Sequence, residues 1–180
     1  MEEIESHGNR RDSESVIIRV ATPGDLGAVD DIYSYWIKSE CSTADRIPYS
    51  RQEREEWFAS HPPDTFPVFV AESGGAVAGY FSFSPYRKRR EALKYVAEIS
   101  YFVSPEWMGA GVGTKMMSHG LAVAPGLGFR TLVAILLEHN TASIALLNKF
   151  GFEEWGRMPG IVVFDDRHYD HLFYGLKLDH

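Results

Sequence analysis

Three glycines at alternate positions, Gly109, Gly111 and Gly113, mark the segment of the sequence best suited to bind an anion. They follow a β-like run that ends at Val103 and precede a helical pattern that begins at Thr114. A helix start carries unpaired N–H groups and a partial positive charge, and glycines leave those groups open to a phosphate. The spacing matches neither a Walker loop, which needs Gly-Lys-Ser/Thr, nor a Gly-x-Gly-x-x-Gly dinucleotide loop. We therefore expect a phosphate site of another kind.

The elements that must position this loop follow from hydrophobic periodicity and turn signals. Strands are predicted at 16–20, 66–71, 76–83, 97–103, 131–137, 152–157 and 169–178. Helices are predicted at about 23–37, 51–59, 114–124 and 140–150. The order β-α-α-β-β-β-α-β-α-β-β predicts one mixed α/β domain over residues 16–180. Residues 1–15 are polar and lack periodicity, which predicts a disordered extension.

The composition of the 180 residues excludes several function classes. Hydrophobic residues make up 44% and charged residues 24%, as in an ordinary soluble globular protein. The net charge of −7 argues against general nucleic-acid binding, which needs a basic surface. The sequence has no apolar run long enough for a membrane span and no signal-peptide core at its start. A single cysteine, Cys41, excludes an intrachain disulfide framework. We predict a cytoplasmic protein without nucleic-acid or membrane partners.

Several motifs occur together in an order typical of one enzyme superfamily. They lie at 18–21, 77–80, 85–87, 97–104, the glycine loop, 140–143 and 149–152. With this combination the chain resembles the GNAT superfamily of acyl-CoA-dependent N-acetyltransferases from about Val16 to Leu178, most closely the phosphinothricin acetyltransferase branch. The resemblance implies an α/β (α+β) fold: a mixed, mostly antiparallel twisted sheet of about seven strands with about four helices. It also implies a splay between the fourth and fifth strands.

The resemblance implies acetyl-CoA as the acetyl donor, and no metal. Backbone groups of Tyr101 and Val103 would pair with the pantetheine arm, and the amides of residues 108–114 would hold the pyrophosphate. Asn140 matches an asparagine that contacts the cofactor arm. The predicted cofactor residues are Tyr101, Phe102, Val103, Met108, Gly109, Ala110, Gly111, Val112, Gly113, Thr114, Asn140 and Ser143.

The resemblance also implies a catalytic role for Glu98, which matches the general base of the phosphinothricin acetyltransferase branch. An amine acceptor is an ammonium ion with a pKa near 10, so it must lose a proton before it can attack. Apolar neighbours of Glu98 in the sequence favour a raised pKa for its carboxyl. The alternative is a solvated carboxylate or an ion pair with Arg87 or Lys94.

Two positions depart from the pattern of the resembled family. Met108 stands where an arginine or glutamine usually begins the phosphate loop, which predicts weaker binding of CoA. Leu147 stands where related enzymes carry a tyrosine or histidine that acts as general acid. Leucine cannot donate a proton, although a thiolate with a pKa of about 8.5 can leave with little help. Water or the Ser143 hydroxyl could assist, and the acid remains unassigned.

The predicted acceptor is a small primary amine, an amino acid or an analogue of one. Phe83, Tyr86 and Arg87 are candidates for its pocket, whereas Tyr33 and Trp36 better fit core packing. The Gly-x-Lys pattern of the branch is replaced around residues 162–164, which argues against phosphinothricin itself.

Other functions stay open on the sequence alone. One is an enzyme of the same fold that acetylates proteins or peptides, and another is a catalytically weak acyl-CoA-binding module. A homodimer, common in the resembled family, is also possible. His168 and His171 form a His-x-x-His pair, but on a strand these side chains face opposite sides and make a poor zinc site.

Overall fold

The computed structural model describes residues 15–39 and 42–178. Its strands are β1 (Ile17–Val20), β2 (Val68–Ser73), β3 (Ala76–Pro85), β4 (Val96–Val103), β5 (Thr131–Leu137), β6 (Glu153–Phe164) and β7 (Arg167–Lys177). Its α-helices are α1 (Leu26–Lys38), α2 (Arg51–Ala59), α3 (Val112–Val123) and α4 (Thr141–Lys149). The elements follow the predicted order. The predictions for residues 1–14 and for Cys41 fall outside the described residues.

The strands form one seven-stranded sheet in the order β1-β2-β3-β4-β5-β7-β6. Neighbouring strands are antiparallel except β4 and β5, which are parallel. The parallel ladder is short, because it joins Val96–Ile99 to Thr131–Ala134 and then ends. Both strands continue beyond it, so a gap opens between residues 100–103 of β4 and the end of β5. The mostly antiparallel fold with its splay is confirmed.

Local signals in the sequence explain where the helices start. Ser50 and Glu53 form a capping box at α2, with the Ser50 N–H donating to the Glu53 carboxylate at 2.8 Å. At α4 the Asn140 side chain accepts from the Ser143 N–H at 3.1 Å. Helix α3 begins at Val112, two residues before the predicted start, because the glycine loop itself turns into the helix.

The last hairpin is longer than predicted. The prediction ended the first of its strands at residue 157, but β6 continues through a register shift between Met158 and Val162 and ends at Phe164. The strand accommodates Pro159 and Gly160 as a bulge. The connecting turn contains Asp165, which has a φ of 53°.

Helices cover both faces of the sheet and divide its core in two. On one face, residues of α3 and α4 such as Met116, Met117 and Leu147 pack against Phe81 and Ile99 of the sheet. On the other face, α1 and α2 pack against a smaller cluster built on Val68, Val70, Tyr80, Val29 and Ile32. None of the described helices is both long and apolar enough to cross a bilayer.

Candidate active site

The alternation of β4 decides which backbone groups border the gap in the sheet. The Ser104 N–H donates to the Ala78 carbonyl at 2.8 Å, and the β3–β4 register extends this pairing to every even-numbered residue of β4. Odd-numbered residues therefore direct their N–H and C=O groups toward β5. Since the ladder with β5 ends at Ile99, Tyr101 and Val103 present backbone groups to the gap. An extended amide chain can pair with such groups as an added strand.

Trp36 on α1 already contacts one of these groups. Its Nε1–H donates to the Val103 carbonyl at 2.8 Å, a bond that the sequence did not predict. The Tyr101 side chain packs on the α3 and α4 face, where burial raises its pKa to about 12 and Ser143 is hydrogen-bonded to its hydroxyl. Tyr101 therefore stays protonated at neutral pH.

A groove of about 650 Å³ runs along the gap to the start of α3. There the loop turns through Gly109, with φ 76°, and Gly111, with φ 84°, in left-handed conformations that favour glycine. The first hydrogen bond along the axis of α3 joins the Lys115 N–H to the Gly111 carbonyl at 3.1 Å. The N–H groups of residues 112–114 precede it and have no acceptor within the helix. This end of the groove suits a phosphate or pyrophosphate.

A second cavity, of about 380 Å³, lies on the α1 and α2 face of the sheet and is called the acceptor cavity below. Even-numbered residues of the two central strands form its floor: Tyr80, Ser82 and Ser84 of β3 and Glu98, Ser100 and Phe102 of β4. The residues that line both this cavity and the groove are Ser42, Ser100, Phe102, Ile135 and Leu136. The two spaces therefore meet at the splay.

Glu98 is a half-buried carboxylate in the wall of the acceptor cavity. Burial raises the pKa of its carboxyl, and the positive charge of Arg87 offsets part of that effect. Neither Arg87 nor Lys94 forms an ion pair with Glu98 among the described residues. A carboxylate with a raised pKa is a stronger base, so this position favours proton abstraction from an ammonium group.

A buried arginine forms the far wall of the acceptor cavity. Arg54 is 3% exposed, and its Nε–H donates to Asp30 at 2.9 Å. Its guanidinium carbon lies 5.0 Å from the ring centroid of Tyr33, 4.6 Å from that of Tyr49 and 5.0 Å from that of Trp57. These rings and the ion pair hold the wall in one arrangement.

The sequence pattern of the Acetyltransferase (GNAT) family matches residues 30–152, most of the chain. The chain belongs to the GNAT family. YwnH of Bacillus subtilis (strain 168), named as a candidate phosphinothricin acetyltransferase, is 39% identical over 162 residues, covering 89% of this chain and 98% of YwnH. The L-methionine sulfoximine/L-methionine sulfone acetyltransferase of Salmonella typhimurium is 31% identical over 162 residues, covering 90% and 94%.

A solved GNAT structure has the same fold. The phosphinothricin acetyltransferase of Sinorhizobium meliloti in complex with acetyl-CoA superposes with a TM-score of 0.86 at 30% identity, covering 91% of this chain and 89% of that one. The predicted GNAT membership, the likeness to phosphinothricin acetyltransferases and the assignment as an acetyltransferase are therefore confirmed. GNAT acetyltransferases use acetyl-CoA, and the groove fits its extended arm and pyrophosphate by backbone geometry.

The predicted cofactor residues lie together along the groove, except Ala110. Ala110 packs against the core instead, and its N–H donates to the Trp107 carbonyl at 3.2 Å. Met108 lies at the groove with 57% of its surface exposed. Its side chain is uncharged and adds nothing to the partial positive charge at the start of α3. Leu147 is fully buried and lines the groove, so this position offers no proton. The contacts of these residues with acetyl-CoA stay predictions.

The predicted acceptor residues lie outside the acceptor cavity. Phe83 is fully buried in the core on the opposite face, because the even-numbered residues of β3 face the cavity. Phe83 was predicted to line the acceptor pocket, and its position in the core corrects that prediction. Arg87 stacks over Tyr86 at 5.2 Å and lines a separate basic cavity of about 400 Å³. Arg87 influences the acceptor cavity only through its charge, which lowers the pKa of Glu98.

The sequence missed most of the acceptor cavity. The residues missed are Ser42, Thr43, Ala44, Asp45, Tyr49, Arg54, Trp57, Ser82, Ser84, Ser100 and His171. Ser100 could have been predicted, because it lies two residues after Glu98 and so shares its face of β4. Ser82 and Ser84 follow only once the register between β3 and β4 is known. Nothing in the sequence indicates that 42–45 and α2 fold over the same floor. Within residues 15–39 and 42–178, no three His, Cys, Asp or Glu side chains group closely enough to hold a metal ion.

Proposed function

We propose that this GNAT enzyme transfers the acetyl group of acetyl-CoA to the primary amine of an amino acid or amino-acid analogue. The observation that carries the proposal is the position of Glu98, in a cavity of about 380 Å³ that meets the cofactor groove at the splay. An amine in the cavity and a thioester in the groove would lie side by side. Direct attack within a ternary complex follows from that arrangement.

In this proposal Glu98 is the general base. The acceptor enters as an ammonium ion, and Glu98 removes a proton to expose the lone pair of the nitrogen. The cavity also contains Asp45, while the charge of Arg54 is balanced by Asp30, so Glu98 and Asp45 favour the ammonium group of the acceptor. The raised pKa of Glu98 supports the role because it narrows the gap to the pKa of the ammonium ion.

When bound, acetyl-CoA supplies an activated acetyl thioester with a thiolate leaving group. The N–H groups of residues 112–114 would hold its pyrophosphate, and the backbone of Tyr101 would align its amide arm. Leu147 excludes water beside the groove but cannot protonate the thiolate. The thiolate would need no acid from this chain, because its pKa is close to ambient pH.

The size and lining of the acceptor cavity support a small acceptor. The relatives are named for phosphinothricin and for methionine sulfoximine or sulfone, which are amino-acid analogues with a compact polar oxygen group. The floor offers three serine hydroxyls that can donate to such oxygens: Ser82, Ser84 and Ser100. The replaced segment 162–164 still argues against phosphinothricin, so we place methionine sulfone and related amino acids first.

A thiol-release assay over a panel of acceptors tests the proposal. The panel contains L-methionine sulfone, L-methionine sulfoximine, phosphinothricin, the twenty amino acids, polyamines and short peptides. We expect turnover with one or more amino-acid analogues and little with peptides. Turnover with peptides alone would favour the protein acetyltransferase alternative. Acetyl-CoA binding without any turnover would support the catalytically weak binding module and contradict the proposal.

A homodimer and a cytoplasmic location also stay proposals. The apolar side chains exposed along the edge strand β6 support a contact between two copies; they are Trp155, Met158, Ile161 and Val163. Light scattering on the purified protein should give twice the chain mass of 20.3 kDa. A mass of one chain at micromolar concentration would contradict the dimer.

A further inference from the structure

A buried histidine lies beside the acceptor cavity and contacts one of the serines of its floor. His61 follows α2 and is only 7% exposed. Its Nδ1 lies 2.6 Å from the Trp57 carbonyl, and its Nε2 lies 2.9 Å from the Ser84 hydroxyl. A carbonyl can only accept, so Nδ1 carries the ring hydrogen in the neutral form. Nε2 then accepts a hydrogen bond from Ser84.

Ser84 connects this histidine to the cavity that contains Glu98. The two residues lie opposite each other in the β3–β4 ladder, so their side chains are neighbours on the same face at about 5 Å between Cβ atoms. Both line the acceptor cavity. Because the Ser84 hydrogen is directed at His61, the Ser84 oxygen can accept from a protonated Glu98, directly or through one water. A continuous path therefore leads from Glu98 to His61.

The reaction needs such a path because the nitrogen loses two protons in each turnover. An ammonium acceptor forms one N–C bond while the C–S bond breaks, and the products are an amide, a thiol and one free proton. One proton leaves before attack and the second after it. A single carboxylate enclosed between acceptor and cofactor can take the second proton only after it has passed on the first.

We propose that Ser84 and His61 form a proton relay that takes the first proton from Glu98 and restores its carboxylate. Glu98 donates to the Ser84 oxygen as the Ser84 hydroxyl donates to Nε2 of His61, and the imidazolium later loses its proton to solvent. Ser84 and His61 are positioning residues, because they act through Glu98. The inference rests on the proposed function, in which Glu98 is the base.

The electrostatics of the path agree with this geometry. Burial raises the pKa of Glu98 and lowers the pKa of His61, so the two values approach each other from 4.5 and 6.5. The Trp57 carbonyl on α2 favours the imidazolium, whereas the charge of Lys88, in the loop after β3, disfavours it. On β4, Glu98 faces His61 across Ser84. Transfer of the proton from Glu98 to His61 is downhill between the unshifted groups, and the two shifts bring it closer to balance, so that His61 can also pass the proton on to solvent.

Removing the relay at Ser84 tests the proposal on turnover. We use the acceptor with the highest turnover in the panel above and measure kcat for Ser84→Ala. We expect kcat to fall about tenfold, a modest share of the effect of a general base. In a Glu98→Gln background the same substitution should change kcat less than about twofold, because the relay has nothing to carry. Additive losses in the double variant would overturn the relay.

The pH dependence of kcat separates a relay from a structural role. The relay needs Glu98 ionised and His61 neutral, so log kcat of the wild type should fall at low pH with a slope approaching two. His61→Asn retains a donor for the Trp57 carbonyl but lacks Nε2. This variant and Ser84→Ala should show a slope of one. Ser82→Ala removes an acceptor-binding hydroxyl from the same floor without touching His61. Its kcat is allowed to change, but its low-pH slope should match the wild type.

The outcomes distinguish the relay from the general base. A Glu98→Gln variant with wild-type turnover contradicts the proposed function itself. A slow Glu98→Gln variant, together with unchanged low-pH slopes in Ser84→Ala and His61→Asn, contradicts the relay and leaves the base in place. Urea unfolding of each variant identifies losses that come from instability, and Ser84→Ala provides the second route if His61→Asn does not fold.

Discussion

The cofactor groove and the acceptor cavity meet at the splay but are built in different ways. The groups assigned to the cofactor in the groove are mainly backbone groups, and they come from contiguous segments: the end of β4, the glycine loop and the start of α3. Side chains provide the polar surface of the cavity, and they come from α1, residues 42–45, Tyr49, α2, β3, β4 and β7. A backbone site tolerates changes of side chain, whereas a side-chain site can be rebuilt for another acceptor. The same fold can therefore keep one donor and change its amine.

Substitution of the buried arginine in the cavity wall should have the largest effect, a loss of stability that leaves the cofactor groove unchanged. Arg54→Met leaves Asp30 without its partner and removes the cation from among three rings, so we expect about 3 kcal/mol less free energy of unfolding. Urea denaturation measures the loss. The folded fraction should still bind acetyl-CoA with wild-type affinity by calorimetry.

The control for this prediction lies on the same helix. Arg51 has a 93% exposed side chain that bonds Glu55, and Arg51→Met should unfold like the wild type. Equal stability of the two variants would mean that the wall around Arg54 does not hold the cavity together.

A valine in the phosphate loop should weaken the binding of acetyl-CoA in the groove without changing the acceptor cavity. Gly111 has a φ of 84°, so Gly111→Val strains the loop and turns its amides away from the groove. We expect the Kd for acetyl-CoA to rise about thirtyfold, or about 2 kcal/mol. Gly74→Val is the control, because Gly74 is also left-handed, at φ 58°, but lies in the β2–β3 turn. Similar affinities for the two variants would contradict the assigned loop.

A single hydroxyl at the mouth of the cavity should affect the acceptor alone. The Tyr33 hydroxyl donates to Asp45 at 2.6 Å, and burial raises its pKa, so it remains a donor at any working pH. Tyr33→Phe should raise the KM for the acceptor about fivefold. The hydrogen bond that it removes contributes about 1 kcal/mol to the ordering of residues 42–45. The Kd for acetyl-CoA should not change. Tyr35→Phe, on the same helix but 45% exposed, should leave both constants unchanged.

The smallest expected effect is a gain in affinity for acetyl-CoA from a substitution at the start of the phosphate loop. Met108→Arg places a cation at the groove beside the helix N-terminus, and acetyl-CoA should bind about threefold more tightly at low salt. Added salt should remove the gain, because the side chain is exposed to solvent. Met158→Arg makes the same change of charge on β6 and should have no effect. A weaker or unchanged affinity of Met108→Arg would indicate that the backbone alone holds the pyrophosphate.

The two regions also differ in how far the sequence predicted them. The glycine loop, Asn140 and the end of β4 were predicted because each is a contiguous motif with its own local geometry. Phe83 was placed in the wrong region because β3 alternates, and only its register with β4 decides which residues share a face with Glu98. Arg54 and His61 were missed because they enter the site through the packing of α2, which no local pattern encodes.

The central claim is that Glu98 takes a proton from the amine without contributing to donor binding. The most direct test compares kcat and the Kd for acetyl-CoA in Glu98→Gln and the wild type. We predict that kcat falls at least tenfold while the Kd stays the same. Because burial raises the pKa of Glu98, wild-type kcat should also be lost as pH falls through that raised value, and present above it. Unchanged turnover of Glu98→Gln at saturating amine would contradict the account.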